Sequence, residues 1–196
     1  KDILDDLAKF CMTKDTKILL DEAFIEFVEG NLKESILEYR NKNIFIIRAL
    51  TKFFAIPGLR LGYGITFDKK LKEKIELSRE PWSINAIAEL ATKILLEDDE
   101  YIEKSENWIR VEKEYMYKKL SNIEGIKTYK TETNFILVKL INGMKVQEFR
   151  NKMILLGVLV RNASNFNYLD DTYFRLAIKD RINNTKILGC IEDAIK

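Results

Sequence analysis

A lysine and an arginine, Lys52 and Arg60, lie eight positions apart in a stretch that is otherwise largely apolar residues and glycine. Apolar surroundings disfavour the charged form of a lysine, and an uncharged amine is a nucleophile that can bond covalently to a carbonyl carbon. Gly58 and Gly62 flank the arginine, where they allow close approach of a ligand, and a guanidinium suits a phosphate. Residues 48–64 therefore predict a poorly solvated, reactive lysine beside a phosphate-binding arginine.

A carboxylate is predicted to join this lysine at one edge of a sheet. Asp21 follows the apolar run 18–20, and the apolar run 44–47 leads towards Lys52. Short runs rich in β-branched residues are typical of buried parallel strands. The carboxyl ends of such strands meet at one edge, which is where open α/β sheets bind their ligands.

The rest of the chain shows the alternation of helical and strand patterns expected of an α/β protein. Ser83 is the predicted N-cap of a helix over 84–97. The other predicted segments are helices over 99–120, 146–156 and 180–196 and strands over 61–66, 126–129, 134–140, 158–160 and 173–178.

Arg175 interrupts the apolar strand predicted over 173–178. A charge in such a strand is costly unless it is paired, so this arginine indicates an anionic ligand. An arginine that faces solvent at a sheet edge is the alternative. Arg161 follows the strand predicted over 158–160.

The composition excludes several classes of function. The chain contains no histidine, which excludes Ser/His and Cys/His catalysis and most zinc sites. The net charge of +2 and the mixing of lysines with acids give no nucleic-acid-binding face. No apolar run is long enough to span a membrane and no secretory signal is visible. Two distant cysteines, Cys11 and Cys190, fit a reduced, cytoplasmic setting.

Three segments together resemble a known family. Leu-Thr-Lys-Phe-Phe-Ala-Ile-Pro-Gly-Leu-Arg-Leu-Gly-Tyr at 50–63 resembles the cofactor-lysine segment of fold type I enzymes that use pyridoxal 5'-phosphate (PLP), in the histidinol-phosphate aminotransferase group. Asp-Glu-Ala-Phe at 21–24 and Pro-Trp-Ser-Ile-Asn at 81–85 are similar to its threonine-phosphate decarboxylase branch, which serves cobalamin biosynthesis. The resemblance implies an aspartate aminotransferase-like α/β fold, with the C-terminal part of the large PLP-binding domain over 1–105 and a small α/β domain over 106–196.

The resemblance also implies roles for single residues. Lys52 would hold PLP covalently, Asp21 would pair with its ring nitrogen, and Thr51 and Arg60 would bind its phosphate. One departure concerns position 24, where many relatives have a tyrosine that bonds the cofactor's phenolic oxygen and this chain has Phe24.

In the same resemblance, Arg175 would bind the α-carboxylate of a substrate amino acid and Arg161 its phosphate group. The implied protein is a cytoplasmic homodimer that decarboxylates an O-phosphorylated amino acid. Transamination uses the same residues and stays open as the alternative, because a tightly bound carboxylate does not favour decarboxylation.

The implied family also has elements that this sequence does not match, among them the helix N-terminus that holds the cofactor phosphate and the ring that stacks on the pyridine. We therefore expect the chain to be a fragment that is inactive alone. An alternative of another class is a folded domain that does not bind PLP.

Overall fold

The computed structural model describes residues 2–196, except for the side chain of Leu32. The chain divides into two compact units, Lys1–Glu106 and Asn107–Lys196. The division falls inside a long helix, Asp99–Ser121. A helix over 99–120 was predicted there, and it is confirmed.

The first unit contains a three-stranded sheet in the order β1-β2-β3. Strands β1 and β2 run parallel, and β3 is antiparallel to β2. Along the chain the elements are α1 Asp2–Met12, β1 Ile18–Asp21, α2 Asn31–Glu34, β2 Ile44–Ala49, α3 Leu50–Phe53, β3 Gly62–Thr66, α4 Lys69–Ser78, α5 Ala86–Leu95 and the start of α6 Asp99–Ser121.

One face of this sheet is buried. Ile44 and Ile46 of β2 belong to a buried cluster with Ala8 of α1. On the other face, Leu19 is 66% exposed and Ile47 is 38% exposed. The prediction of buried parallel strands therefore holds for one face only, because in the described part of the chain α1 and its neighbours cover a single side.

The glycines that follow Arg60 have a structural use. A Cβ on Gly62 would lie 2.8 Å from the carbonyl oxygen of Arg48, and one on Gly64 would clash with the ring of Phe45. Both glycines lie in β3, so the close approach they permit is to strand β2. The packing of β3 on β2 is therefore enough to account for a glycine at position 62, and the expected role of Gly62 in ligand approach stays a prediction.

A buried ion pair joins the carboxyl ends of β1 and β2. Arg48 in β2 donates from Nη2 and Nε to Oε2 of Glu22, at 2.8 and 3.1 Å. Ser35 donates its hydroxyl to the same carboxylate at 2.8 Å, and the backbone N–H of Ile36 donates to Oε1 at 3.2 Å. Glu22 and Arg48 are each 8% exposed. Burial opposes the charge of Arg48, but its hydrogen bonds to Glu22 and Tyr63 raise the pKa of the guanidinium.

The second unit contains a four-stranded antiparallel sheet in the order β4-β5-β7-β6. Its elements after α6 are β4 Ile126–Thr128, β5 Phe135–Leu140, α7 Val146–Leu155, β6 Arg161–Asn162, β7 Tyr173–Ala177 and α8 Arg181–Ile195.

Two local predictions are wrong. The segment predicted as a strand over 158–160 is a connection without strand pairing, and the strand begins at Arg161 instead, because only Arg161 and Asn162 pair with β7. The N-cap of α5 is Asn85 and not Ser83, since the Asn85 side chain accepts the N–H of Ala88 at 2.8 Å.

The core of the second unit combines aromatic packing with a buried acid. The rings of Phe149 in α7 and Phe174 in β7 have centroids 4.6 Å apart. Glu112 in α6 is 5% exposed, and it accepts hydrogen bonds from Asn184 at 2.8 Å and from Arg181 at 3.0 Å. Because the buried Glu112 and Asn184 are partners of each other, this acid can join α6 to α8 without an uncompensated charge.

We predict that Glu22→Gln destabilises the first unit by about 3 kcal/mol, since it leaves Arg48 buried without its counter-charge. Urea unfolding gives the free-energy change. Glu34→Gln, a matched change at an exposed site in α2, should alter stability by less than about 0.5 kcal/mol. A loss for Glu22→Gln as small as that for Glu34→Gln would contradict the prediction.

Glu26 should make the stability of the first unit decrease as the pH rises. Its Oε2 is buried without a hydrogen-bond partner. Burial raises the pKa of its carboxyl above 4.5, against an opposing effect of the Arg48 charge. A raised folded-state pKa gives stability that is present at low pH and lost as the pH rises through that pKa.

We therefore predict that Glu26→Gln stabilises the chain at about pH 8 by roughly 1 kcal/mol and by much less at about pH 4. Urea unfolding at both pH values measures the difference, with the exposed Glu29→Gln as the control. A gain that does not grow with pH would show that the Glu26 charge is not the cause.

Candidate functional site

Lys52 lies in the short helix α3, directly after strand β2. Its neighbours Leu50, Thr51 and Phe53 are buried, whereas Lys52 is exposed. The prediction of a poorly solvated lysine is therefore wrong for this structure. The physical reason is helical geometry, since at about 100° per residue Lys52 falls on the side of α3 opposite to the buried Leu50.

Aromatic rings hold this helical turn in place. Phe53 makes edge-on contact with Phe27, with centroids 5.6 Å apart, and Phe54 stacks on Tyr101 at 5.5 Å. The Tyr101 hydroxyl also donates to the carbonyl of Phe53 at 3.0 Å. The backbone that carries Lys52 is thus fixed by packing on one side, while its side chain is accessible on the other.

Asp21 ends β1 and stands opposite Ile47 in the parallel register. Its Oδ1 accepts the backbone N–H of Ala23 at 2.8 Å, and its side chain is exposed. Phe24 comes next in the same turn, and the Lys52 ammonium lies 5.7 Å from the centroid of its ring. The turn that follows β1 and the lysine that follows β2 are therefore neighbours in space.

Arg60 follows a turn of 3-10 helix, Pro57–Leu59, and has a left-handed backbone with φ of 52°. Its Nη1 donates to the carbonyl of Pro57 at 3.2 Å, and the guanidinium is otherwise exposed. No carboxylate of the described residues lies within 4.0 Å of it. An anion can therefore reach this arginine without displacing an ion pair.

The chemistry of these groups fits PLP. Lys52 offers an accessible amine, Asp21 keeps one carboxylate oxygen without a hydrogen-bond partner among residues 2–196, and Arg60 offers free N–H donors. These would hold the carbonyl carbon, the ring nitrogen and the phosphate of the cofactor. Thr51, the other predicted phosphate contact, is buried, and its role stays a prediction.

In the second unit, Arg161 and Arg175 face each other across two antiparallel strands. They are register partners in β6 and β7, so their side chains share one face of the sheet. The Arg175 guanidinium lies over the ring of Phe135, 4.5 Å from its centroid. Neither arginine has a carboxylate within 4.0 Å in the described chain. Two cations directly opposite each other repel, and an anion bound between them would relieve that repulsion.

The ion pair of Glu22 with Arg48 is a feature that our sequence analysis did not predict. Glu22 follows Asp21, and Arg48 precedes Lys52 by four positions. The sequence contained a signal for this pair, because strand alternation places Arg48 on the same face as the apolar Ile44 and Ile46. Both residues are too buried to contact a ligand from solvent. We assign them to positioning the segments that carry Asp21 and Lys52.

A model of the family described as aminotransferase class I and II matches residues 1–191. A protein of Caldanaerobacter subterraneus subsp. tengcongensis, provisionally named threonine-phosphate decarboxylase, is 42% identical over 181 residues, which make up 91% of this chain and 48% of that protein. The chain spans about half the length of the curated relatives it matches.

Solved structures agree. The histidinol-phosphate aminotransferase from Clostridium acetobutylicum is 36% identical, with a TM-score of 0.94 over 100% of this chain and 59% of its own. A PLP-bound protein of Clostridium difficile 630, provisionally named an aminotransferase, has the same fold at 21% identity and a TM-score of 0.80, over 100% of this chain and 54% of its own.

These matches confirm the predicted fold class, the resemblance and the cofactor of the family. No helix of the described residues is long and apolar enough to cross a membrane. With a family model that matches almost the whole sequence and a fold that superimposes on solved members, the chain belongs to the aminotransferase class I and II family of PLP-dependent enzymes.

Proposed function

We propose that the whole protein is a cytoplasmic, homodimeric PLP-dependent decarboxylase of an O-phosphorylated amino acid. The proposed reaction converts threonine phosphate to aminopropanol phosphate, a step of cobalamin biosynthesis. The name of the relative that is 42% identical supports this substrate.

The observation that carries the proposal is the register pair of Arg161 and Arg175. An amino acid with a phosphate monoester brings two anionic groups, a carboxylate and a phosphate. Arginine binds both through paired N–H donors, and the described residues provide no carboxylate that would occupy these two guanidiniums. Arg175, anchored on Phe135, is assigned to the carboxylate, and Arg161, which is exposed, is assigned to the phosphate.

The residues of the chain would then act as follows. When bound, PLP supplies a carbonyl carbon for an amine and a protonated ring that accepts the electrons of the broken bond. Asp21 holds the proton on the ring nitrogen, because a carboxylate favours the protonated form. Arg60 neutralises the cofactor phosphate. Lys52 would hold the cofactor through its Nζ, and the same amine would deliver a proton to the substrate carbon that loses carbon dioxide.

Transamination is the second candidate, and two observations favour it. The solved relative with a TM-score of 0.94 is named histidinol-phosphate aminotransferase. Arg175 is also well placed to retain a carboxylate, whereas decarboxylation requires that the bound carboxylate leave. In transamination Lys52 would remove the α-proton, and the other assignments would stay the same.

A non-catalytic domain is the alternative of another class. The chain spans only 48% of the relative named as a decarboxylase. We propose that residues 1–196 alone bind PLP weakly and do not turn over substrate. A single arginine under-satisfies a phosphate dianion, and an unstacked ring is open to water.

We predict that the whole protein releases carbon dioxide from threonine phosphate without any oxo-acid acceptor, and that Lys52→Ala abolishes this release. Borohydride reduction should attach PLP covalently to the unaltered protein, at a residue that peptide mass mapping identifies as Lys52. Lys52→Ala should abolish this attachment. The exposed Lys69→Ala in α4 is the control and should keep full activity.

The outcomes separate the candidates. Amino-group transfer to an oxo acid without carbon dioxide release would favour the aminotransferase. Turnover that persists in Lys52→Ala would remove Lys52 from the chemistry. Tight PLP binding and turnover by residues 1–196 alone would show that this chain is sufficient.

For the phosphate assignment, we predict that Arg161→Lys lowers kcat/KM more for the phosphorylated substrate than for its unphosphorylated analogue, by the equivalent of about 1–3 kcal/mol, because lysine cannot form the two-pronged contact. The comparison uses the whole protein with threonine phosphate and threonine. Arg110→Lys, at an exposed position of α6, serves as the matched change. Equal losses on both substrates would take Arg161 out of the phosphate role.

A further inference from the structure

The first unit contains a cavity of about 260 Å³ beside helix α3. Its apolar walls include Leu50, Phe53 and Phe54 from α3 and the residue after it, and Leu96 and Ile102 from the end of α5 and the start of α6. None of the residues proposed for the cofactor lines this cavity. It is therefore separate from the proposed cofactor site.

Helix α3 lies between the cavity and the cofactor lysine. Leu50 is 2% exposed and lines the cavity, whereas Lys52 is exposed on the opposite side of the helix. A ligand in the cavity consequently leaves the Lys52 amine accessible.

One carboxylate oxygen at the cavity is buried without a hydrogen bond. Glu26 lines the cavity, and its Oε2 has no partner among the described residues. The 3-10 helix that carries it, Ile25–Phe27, is held by the contact of Phe27 with Phe53, whose centroids are 5.6 Å apart. A buried acceptor without a donor is unfavourable, so a ligand N–H that reaches it restores a missing hydrogen bond. The terminal torsion of a glutamate is broad, and rotation about it turns either oxygen towards a ligand.

The charges around the cavity favour a cation. Arg48 borders the cavity, but Glu22 balances its charge through the two hydrogen bonds described above. Glu106 of α6 brings a second carboxylate, whose Oε1 accepts the side-chain N–H of the neutral Asn31 at 3.0 Å. In the described part of the chain neither Glu26 nor Glu106 forms an ion pair. The cavity therefore has two acidic groups without a counter-charge.

We propose that this cavity binds a small apolar amine in its protonated form. The ammonium group donates to the Glu26 carboxylate, and the hydrocarbon part lies against Leu50, Leu96 and Ile102. A cavity of roughly 150 Å³ accepts benzene, so about 260 Å³ holds one aromatic ring with a short aminomethyl arm. This site is independent of the function proposed for Lys52 and the arginines.

Charge and shape together predict which molecules bind. A neutral molecule of the same shape keeps the apolar contacts but loses the attraction to the carboxylate. An anion of the same shape is repelled by Glu26 and Glu106. Benzylammonium should therefore bind more tightly than benzyl alcohol, and benzoate should not bind.

The test is an NMR titration of the 196-residue chain with benzylammonium at about pH 8, which is far above the ordinary pKa of a glutamate. The methyl resonances of Leu50, Leu96 and Ile102, which line the cavity, should shift with one saturation curve. Benzyl alcohol should bind about tenfold more weakly, the equivalent of one charge-assisted hydrogen bond.

Glu26→Gln should weaken the binding of benzylammonium about tenfold and change that of benzyl alcohol less than about twofold. This variant is predicted above to be more stable than the unaltered chain at the same pH, so unfolding does not account for a loss of binding. Glu29→Gln, an exposed change outside the cavity, is the control and should alter binding less than about twofold.

The proposal is overturned if no saturable shift is seen, if benzyl alcohol or benzoate binds as tightly as benzylammonium, or if Glu26→Gln has no more effect than Glu29→Gln. The same titration of the whole protein should reproduce the shifts. Their absence there also overturns the proposal, because another part of the protein would then fill the cavity. None of these readouts uses PLP or turnover, so failure of this site and failure of the proposed function are distinguishable.

Discussion

The buried ion pair between Glu22 and Arg48 is the constraint on which the first unit depends. Both side chains lie away from water, and their charges are tolerable only because Ser35 and the N–H of Ile36 complete the hydrogen bonds of the carboxylate. The pair joins Glu22, the residue after β1, to Arg48 near the carboxyl end of β2. A shift of one residue in the parallel register would turn Arg48 to the other face and leave Glu22 without its partner. The pairing therefore fixes the register of these two strands as well as stabilising them.

That register determines what the ends of the strands present. Asp21 immediately precedes Glu22, and Lys52 lies four residues after Arg48, in α3. Phe53 and Phe54 pack into an aromatic cluster, and this directs Lys52 to the exposed side of the same turn, next to the ring of Phe24. An accessible amine whose backbone is held by packing suits a covalent cofactor lysine, because the amine must be reached by both the cofactor and the substrate.

The second unit treats its charges in two different ways. Glu112 is buried and fully paired with Arg181 and Asn184, and Arg181 also stacks on Tyr115, with 3.8 Å between Cζ and the ring centroid. Arg161 and Arg175 have no carboxylate partner among the described residues. A protein that pairs its buried acid so completely gains nothing structurally from cations left without one. The difference separates charges that hold the helices together from the two arginines that we propose for the anionic groups of a substrate.

The sequence alone determined the fold class, the cofactor of the family and the order of most elements, because apolar periodicity and the segment around Lys52 are local properties. It also placed Asp21 and Lys52 at strand ends, which follows from parallel pairing. The solvent exposure of Lys52 was decided by the tertiary structure, since only the packing of Phe53 and Phe54 sets which side of α3 is covered. The partner of Glu22, the place of β6 and the pairing of Arg161 with Arg175 were also beyond the sequence. Each depends on contacts between segments far apart in the chain or on a turn whose direction the residue pattern does not encode.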